Sequence, residues 1–171
     1  MKAAKLDKSG ALERFAPFAK VLGAHLSHST CSVLHKKAWS QRTPAIGHSL
    51  LIARAVHELF GGKLYTGHFN SVSAGLTQVP HYWNYVPVVI DKVGDLLGIR
   101  GQKIVGDKKV TYGPFEIDLA RPLLHSDVQI VPAMPLAEIA LEEAIQSERR
   151  RDCTFDNRYN RYFSRVRLAL G

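Results

Sequence analysis

The chain has 171 residues, 46% of them hydrophobic, and a formal net charge of +8. That length supports one domain with a sizeable core, and that composition excludes an intrinsically disordered chain. The excess of basic residues keeps nucleic acid, an anionic surface or an acidic protein open as partners.

In chain order, residues 1–10 are charged and expected to be flexible. Leu12, Phe15, Phe18, Ala19, Leu22 and Leu26 recur at helical spacing, which predicts a helix from Ala11 to about His28, capped by Ser9, with Pro17 implying a kink or a later start. Residues 29–46 read as a loop anchored by Trp39. A second helix is predicted from about Ile46 to Phe60, stopped by Gly61-Gly62. Strands follow over 63–69 and 79–89, joined by a turn of small residues over 70–77. A short helix is expected over 90–97, and another strand over 109–119, broken near Gly113-Pro114. Two closing helices are predicted over 135–151 and 156–170. Strands bracketed by helices argue for a single α+β domain spanning 1–171, with a basic C-terminal helix over 152–171.

No stretch of the sequence has the length and apolarity of a membrane span or a signal peptide, so no membrane partner is expected and a cytoplasmic protein is. The two cysteines, Cys31 and Cys153, lie far apart, which argues against a disulfide framework. His25, His28, Cys31 and His35 are zinc-ligand types at steps of three, three and four. Ligands strung along one straight helix diverge along its axis, however, and the Ser-His-Ser-Thr composition signals a helix end. Surface or loop histidines are the preferred reading, and neither a metal nor an organic cofactor is expected.

Three segments carry candidate chemistry. Gly47-His48-Ser49 opens the second helix, where a partial positive charge stabilises an anion. His81 stands within Pro80-His81-Tyr82-Trp83-Asn84, and Asp118 within Phe115-Glu116-Ile117-Asp118-Leu119. A hydroxyl, an imidazole and a carboxylate form a nucleophile, a base and an orienting group when they converge. Each also has a structural reading: Ser49 as a helix cap, His81 as a polar residue near a strand end, Asp118 as an ion-pair or turn partner. Spacing does not choose between the two.

The ordered set Thr30-Cys31, Trp39, Pro44-x-x-Gly47, Phe60-Gly61-Gly62, His81-Tyr82-Trp83-Asn84 and Ile117-Asp118-Leu119 resembles the YunG-like family over roughly residues 28–124, with a fainter likeness around 158–165. These are small bacterial proteins whose motifs are similar to those of papain-like cysteine enzymes. The resemblance implies a papain-like α+β domain, with the nucleophile-bearing helix packed on an antiparallel sheet and a helical C-terminus. It further implies that His48 occupies the position of an oxyanion-hole glutamine and Ser49 that of a catalytic cysteine. His81 is then the base and Asp118 its carboxylate, with Trp83 and Asn84 beside them for binding. Two of the four positions therefore depart from the family pattern, and an insertion is expected around 87–112.

Serine is a far weaker acid than cysteine, so Ser49 needs a tightly placed base to react. The chain is accordingly expected to be a pseudoenzyme or a strongly altered hydrolase, acting on or binding an amide, isopeptide or thioester target. The alternative is a binding module for nucleic acid or an acidic protein. It would use Arg158, Arg161 and Arg165 on the last helix, whose aromatic residues recur at helical spacing and read first as a core stripe.

Overall fold

The computed structural model describes residues 8–71, 76–87, 96–105, 115–124, 128–129 and 137–171, with side-chain surroundings for 15–68, 80–85 and 137–171. Helices α1 (Lys8–Ala24), α2 (Ser49–Phe60), α3 (Leu141–Arg151) and α4 (Phe155–Leu170) flank strands β1 (Lys63–Ser71), β2 (Leu76–Pro87), β3 (Leu96–Val105), β4 (Phe115–Leu124), β5 (Val128–Gln129) and β6 (Ala137–Ile139). The α+β class holds.

Four sequence expectations are corrected. The first helix runs from Lys8 to Ala24 rather than from Ala11 to about His28, with Pro17 and the expected cap Ser9 inside it. Residues 96 and 97, expected to close a short helix, open β3, while 90–95 lie outside the described residues. Residues 137–139, expected in a helix from 135, form β6 against β1, and α3 begins only at Leu141. The sheet is also mixed rather than antiparallel throughout. β6, β1, β2 and β3 are antiparallel neighbours, but β3 and β4 run parallel. The expected break at Gly113-Pro114 lies outside the described residues.

α2 is the centre of the core. Leu50, Leu51, Ile52, Ala53, Ala55 and Val56 are buried, leaving Arg54 and Glu58 on the open side. So wide an apolar surface belongs to a helix covered from several directions. α1 packs Phe15 and Phe18 edge-on against Phe60, with ring centroids 5.0 and 5.1 Å away. α4 contributes Phe155, Tyr159, Tyr162 and Val166, the positions i, i+4, i+7 and i+11 of one stripe. From the sheet, Leu64 and Tyr82 join this cluster, and the Asn84 side-chain amide donates to the Ala53 carbonyl at 3.0 Å. Fully burying one such aliphatic or aromatic side chain contributes about 1.5–3 kcal/mol, so these contacts dominate the fold's stability.

A polar cluster ties α4 to the loop before α2. The Asp152 side chain is fully buried and that of Arg158 is 5% exposed. Asp152 Oδ2 accepts from an Arg158 guanidinium nitrogen at 2.9 Å and from the Ser32 hydroxyl and Val33 amide, both at 3.2 Å. Its Oδ1 accepts from the Thr154 amide and hydroxyl, fastening the start of α4. Arg158 also donates to the Thr30 carbonyl at 2.9 Å, and Tyr162 donates to the Leu22 carbonyl at 2.8 Å. Burial pushes the Asp152 carboxyl upward, but the hydrogen bonds from Thr154, the Arg158 charge and the Val33 amide outweigh it and hold it below its ordinary range.

Removing one partner of a buried pair leaves the other charge uncompensated. Asp152→Asn is therefore expected to cost about 3–5 kcal/mol in urea unfolding. Asp152→Leu combined with Arg158→Met should recover much of that loss, because it removes both charges.

Candidate active site

The start of α2 is set by Gly47, which sits at φ +74°, a left-handed conformation that side chains disfavour. A Cβ there would also lie 2.8 Å from Cys31 Sγ and from His35 Cβ. The Gly47 carbonyl accepts the Ser32 amide at 3.1 Å, which stitches this turn to the 27–35 loop.

His48 follows as the N-cap residue of α2 and is completely buried. Its ring replaces no helix donor; it bonds to the loops instead. Nδ1 lies 2.9 Å from the Ile46 carbonyl, and Nε2 lies 3.0 Å from Thr30 Oγ1 and 3.2 Å from the Ser27 carbonyl. The shorter carbonyl contact assigns the proton to Nδ1, donating to Ile46, which leaves Nε2 facing the Thr30 hydroxyl, whose one proton also lies within reach of the Ser27 carbonyl at 3.0 Å. Thr30 Oγ1 can then accept the Ser27 amide at 3.0 Å. Burial lowers the His48 pKa to about 4, against partial compensation from the Ile46 carbonyl. The imidazole is therefore neutral at pH 7 and both nitrogens are engaged.

Ser49 is the first residue of α2 and half-buried. Cys31, the nearest natural thiol along this wall, is fully buried and points at the Ile46 carbonyl, with Sγ to oxygen 3.3 Å. Burial raises its pKa to about 11, despite the opposing charges of Arg158 and Lys36. It is an unreactive thiol.

His81 stands on β2 opposite Gly67 of β1. Side chains alternate along a strand, and Asn84 and Tyr82 face α2. His81 thus leaves β2 on the other face, in line with Trp83 and Tyr85. Its ring lies 5.6 Å from that of Trp83, which stacks near Tyr65 at 6.4 Å. Asp118, on β4, stands in register with Arg100 of β3, and β3 lies between β4 and β2. Two strand spacings put the backbones of His81 and Asp118 at least about 10 Å apart, and His81 lies beyond the segment of β2 that pairs with β3.

His48 and Ser49 are neighbours at the start of α2, while His81 stands on β2 and Asp118 on β4. Trp83 and Asn84, expected at a binding surface, are 2% and 0% exposed and belong to the interior. Arg158, expected to grip an anion, is consumed by Asp152 and Thr30. Arg161 and Arg165 are exposed. His25, His28, Cys31 and His35 do not gather: among the described residues, no three His, Cys, Asp or Glu side chains are placed to share a metal ion. No helix among the described residues is long and apolar enough to cross a membrane. Sequence reasoning missed Asp152. Its signal was the Asp-x-Thr spacing ahead of a helix, a capping pattern.

Sign and size of a pH effect follow from His48. The unfolded chain binds a proton at this residue below about 6.5, the folded chain only below about 4. Stability is therefore complete above pH 6.5 and falls as the pH drops towards 4, by roughly 3 kcal/mol at most. Urea midpoints at pH 7.5 and 5 should show this loss in the parent protein and a smaller one in His48→Gln. Equal losses in both would refute the assignment.

Residues 14–93 match the family model described as YunG protein, a span that includes His48, Ser49 and His81 and stops short of Asp118 and Arg158. No curated protein and no solved structure matches the chain.

Proposed function

Because residues 14–93 match the YunG family model, we propose that the chain is a papain-like pseudoenzyme, one that keeps the frame around the helix start and binds an amide, isopeptide or thioester target without cleaving it. The observation that carries this reading is the complete burial of His48. In the position where the family resemblance implies an oxyanion-hole donor, the chain has a side chain whose two nitrogens are turned inward to Ile46 and Thr30.

Chemistry at Ser49 needs a base that removes the hydroxyl proton during attack. His48 has no nitrogen to offer, and alternation along β2 directs His81 away from α2. Loss of one oxyanion donor alone lowers turnover about 100-fold or more. A half-buried hydroxyl at a helix start can still donate a hydrogen bond to a target carbonyl, which is recognition rather than catalysis. Both cysteines are free, which fits a cytoplasmic setting.

A Ser49→Cys variant, made in a Cys153→Ser background so that Cys31 is the only other thiol, tests this reading. Its alkylation rate with iodoacetamide should follow an ordinary thiol pKa near 8.5 and remain unchanged in His81→Ala. A thiolate persisting below pH 7 that vanishes with His81→Ala would reveal a working catalytic pair.

A further inference from the structure

The arginines of α3 and α4 divide into two groups. Arg149 pairs with Asp156 and Glu142, Arg151 with Glu148, and Arg158 with Asp152. Arg150, Arg161, Arg165 and Arg167 are exposed and make no ion pair among the described residues. The last three lie on α4, which has no acidic residue after Asp156.

The open side of α4 forms a row at i, i+3, i+4, i+7, i+8 and i+11: Asn157, Asn160, Arg161, Ser164, Arg165 and Leu168, all exposed. This row is held in place from behind. Arg158 and Tyr162 are bonded to the Thr30 and Leu22 carbonyls, and Asp156 is gripped by Arg54 and Arg149. Arg161 reaches the Ser29 carbonyl at 3.5 Å and sits at the seam between helix and loop.

We propose that this face binds the sugar–phosphate backbone of duplex nucleic acid. Exposed guanidinium groups interleaved with Asn and Ser donors on a firmly seated helix are the side chains that contact phosphate oxygens. Two competing occupants fit less well. Single strands are held by base stacking on aromatic rings, and Phe155, Tyr159 and Tyr162 are buried in the core. A protein interface needs a central apolar anchor, and the row's only apolar member, Leu168, stands at its end. Binding of this kind reads charge and spacing rather than base sequence. It is independent of any chemistry at Ser49.

The test is fluorescence anisotropy with a mixed-sequence DNA duplex of about 20 base pairs, titrated at salt from about 50 to 200 mM. The parent protein should bind at the low end and weaken steeply with salt. The triple variant Arg161→Ala, Arg165→Ala, Arg167→Ala should bind about tenfold or more weakly, with a log–log salt slope shallower by about 2–3. Lys36→Ala, Lys37→Ala, Arg42→Ala removes as many charges elsewhere and should have the smaller effect. Matching melting curves establish that the variants are folded. No binding at low salt, equal losses in the two triple variants, or competition by polyglutamate as strong per charge as by DNA would each overturn the proposal.

Discussion

A carboxylate and a guanidinium, both removed from water, hold the two ends of this chain together. Asp152 and Arg158 meet at 2.9 Å, and neither could be buried alone without a cost of several kcal/mol. Their remaining hydrogen-bonding capacity is directed at the loop before α2. Asp152 takes the Ser32 hydroxyl and Val33 amide, and Arg158 takes the Thr30 carbonyl. The Thr30 hydroxyl then meets His48, and His48 meets Ile46. A continuous polar path therefore runs from the C-terminal helix to the first turn of α2. Cys31 and His35 close on Gly47 so tightly that only glycine fits there.

This path changes what the start of α2 can do. A papain-like helix start works by keeping a polarised donor and a thiol open to the substrate. Here the residue before the helix is drawn into the interior, and the group at the helix start is a hydroxyl. Low dielectric surroundings keep the His48 imidazole neutral, with a pKa near 4. The same burial that makes it a good structural residue removes it as a proton carrier at neutral pH. Ser49 stands beside the positive end of a helix dipole, and His48, with both ring nitrogens turned to the loops, is not placed to serve it as a base.

Much of the frame is legible in the sequence. The period of Phe15, Leu22 and Leu26, the apolar run of α2 ending at Gly61, and the stripe of Phe155, Tyr159, Tyr162 and Val166 all lie where spacing places them. The stripe even contains Arg158, at the position three residues after Phe155, but a charged residue there reads as solvent-facing until its buried partner is known. That partner, Asp152, is visible as a cap and hidden as an ion-pair member, since the pairing spans the junction between two helices. β3 is not legible in the sequence because Gly98 and Gly101 interrupt its pattern and its strand character comes from pairing with β2 and β4. β6 reads as part of a helix because three residues carry no period of their own. At the candidate site, sequence located the anomaly at His48-Ser49. It could not show which way His48 turns, which depends on Thr30 and Ile46, or that alternation sends His81 and Asn84 to opposite faces of β2.

The central claim is that His48 is a structural member of the core and not an active-site group. Long-range proton–nitrogen NMR of the histidine rings across a pH titration tests it directly. One imidazole, absent in His48→Gln, should remain the Nδ1-protonated tautomer from pH 8 down to about 5 and begin to titrate only near 4. An ordinary transition for that ring near pH 6.5 would mean that His48 is open to solvent and would contradict the account.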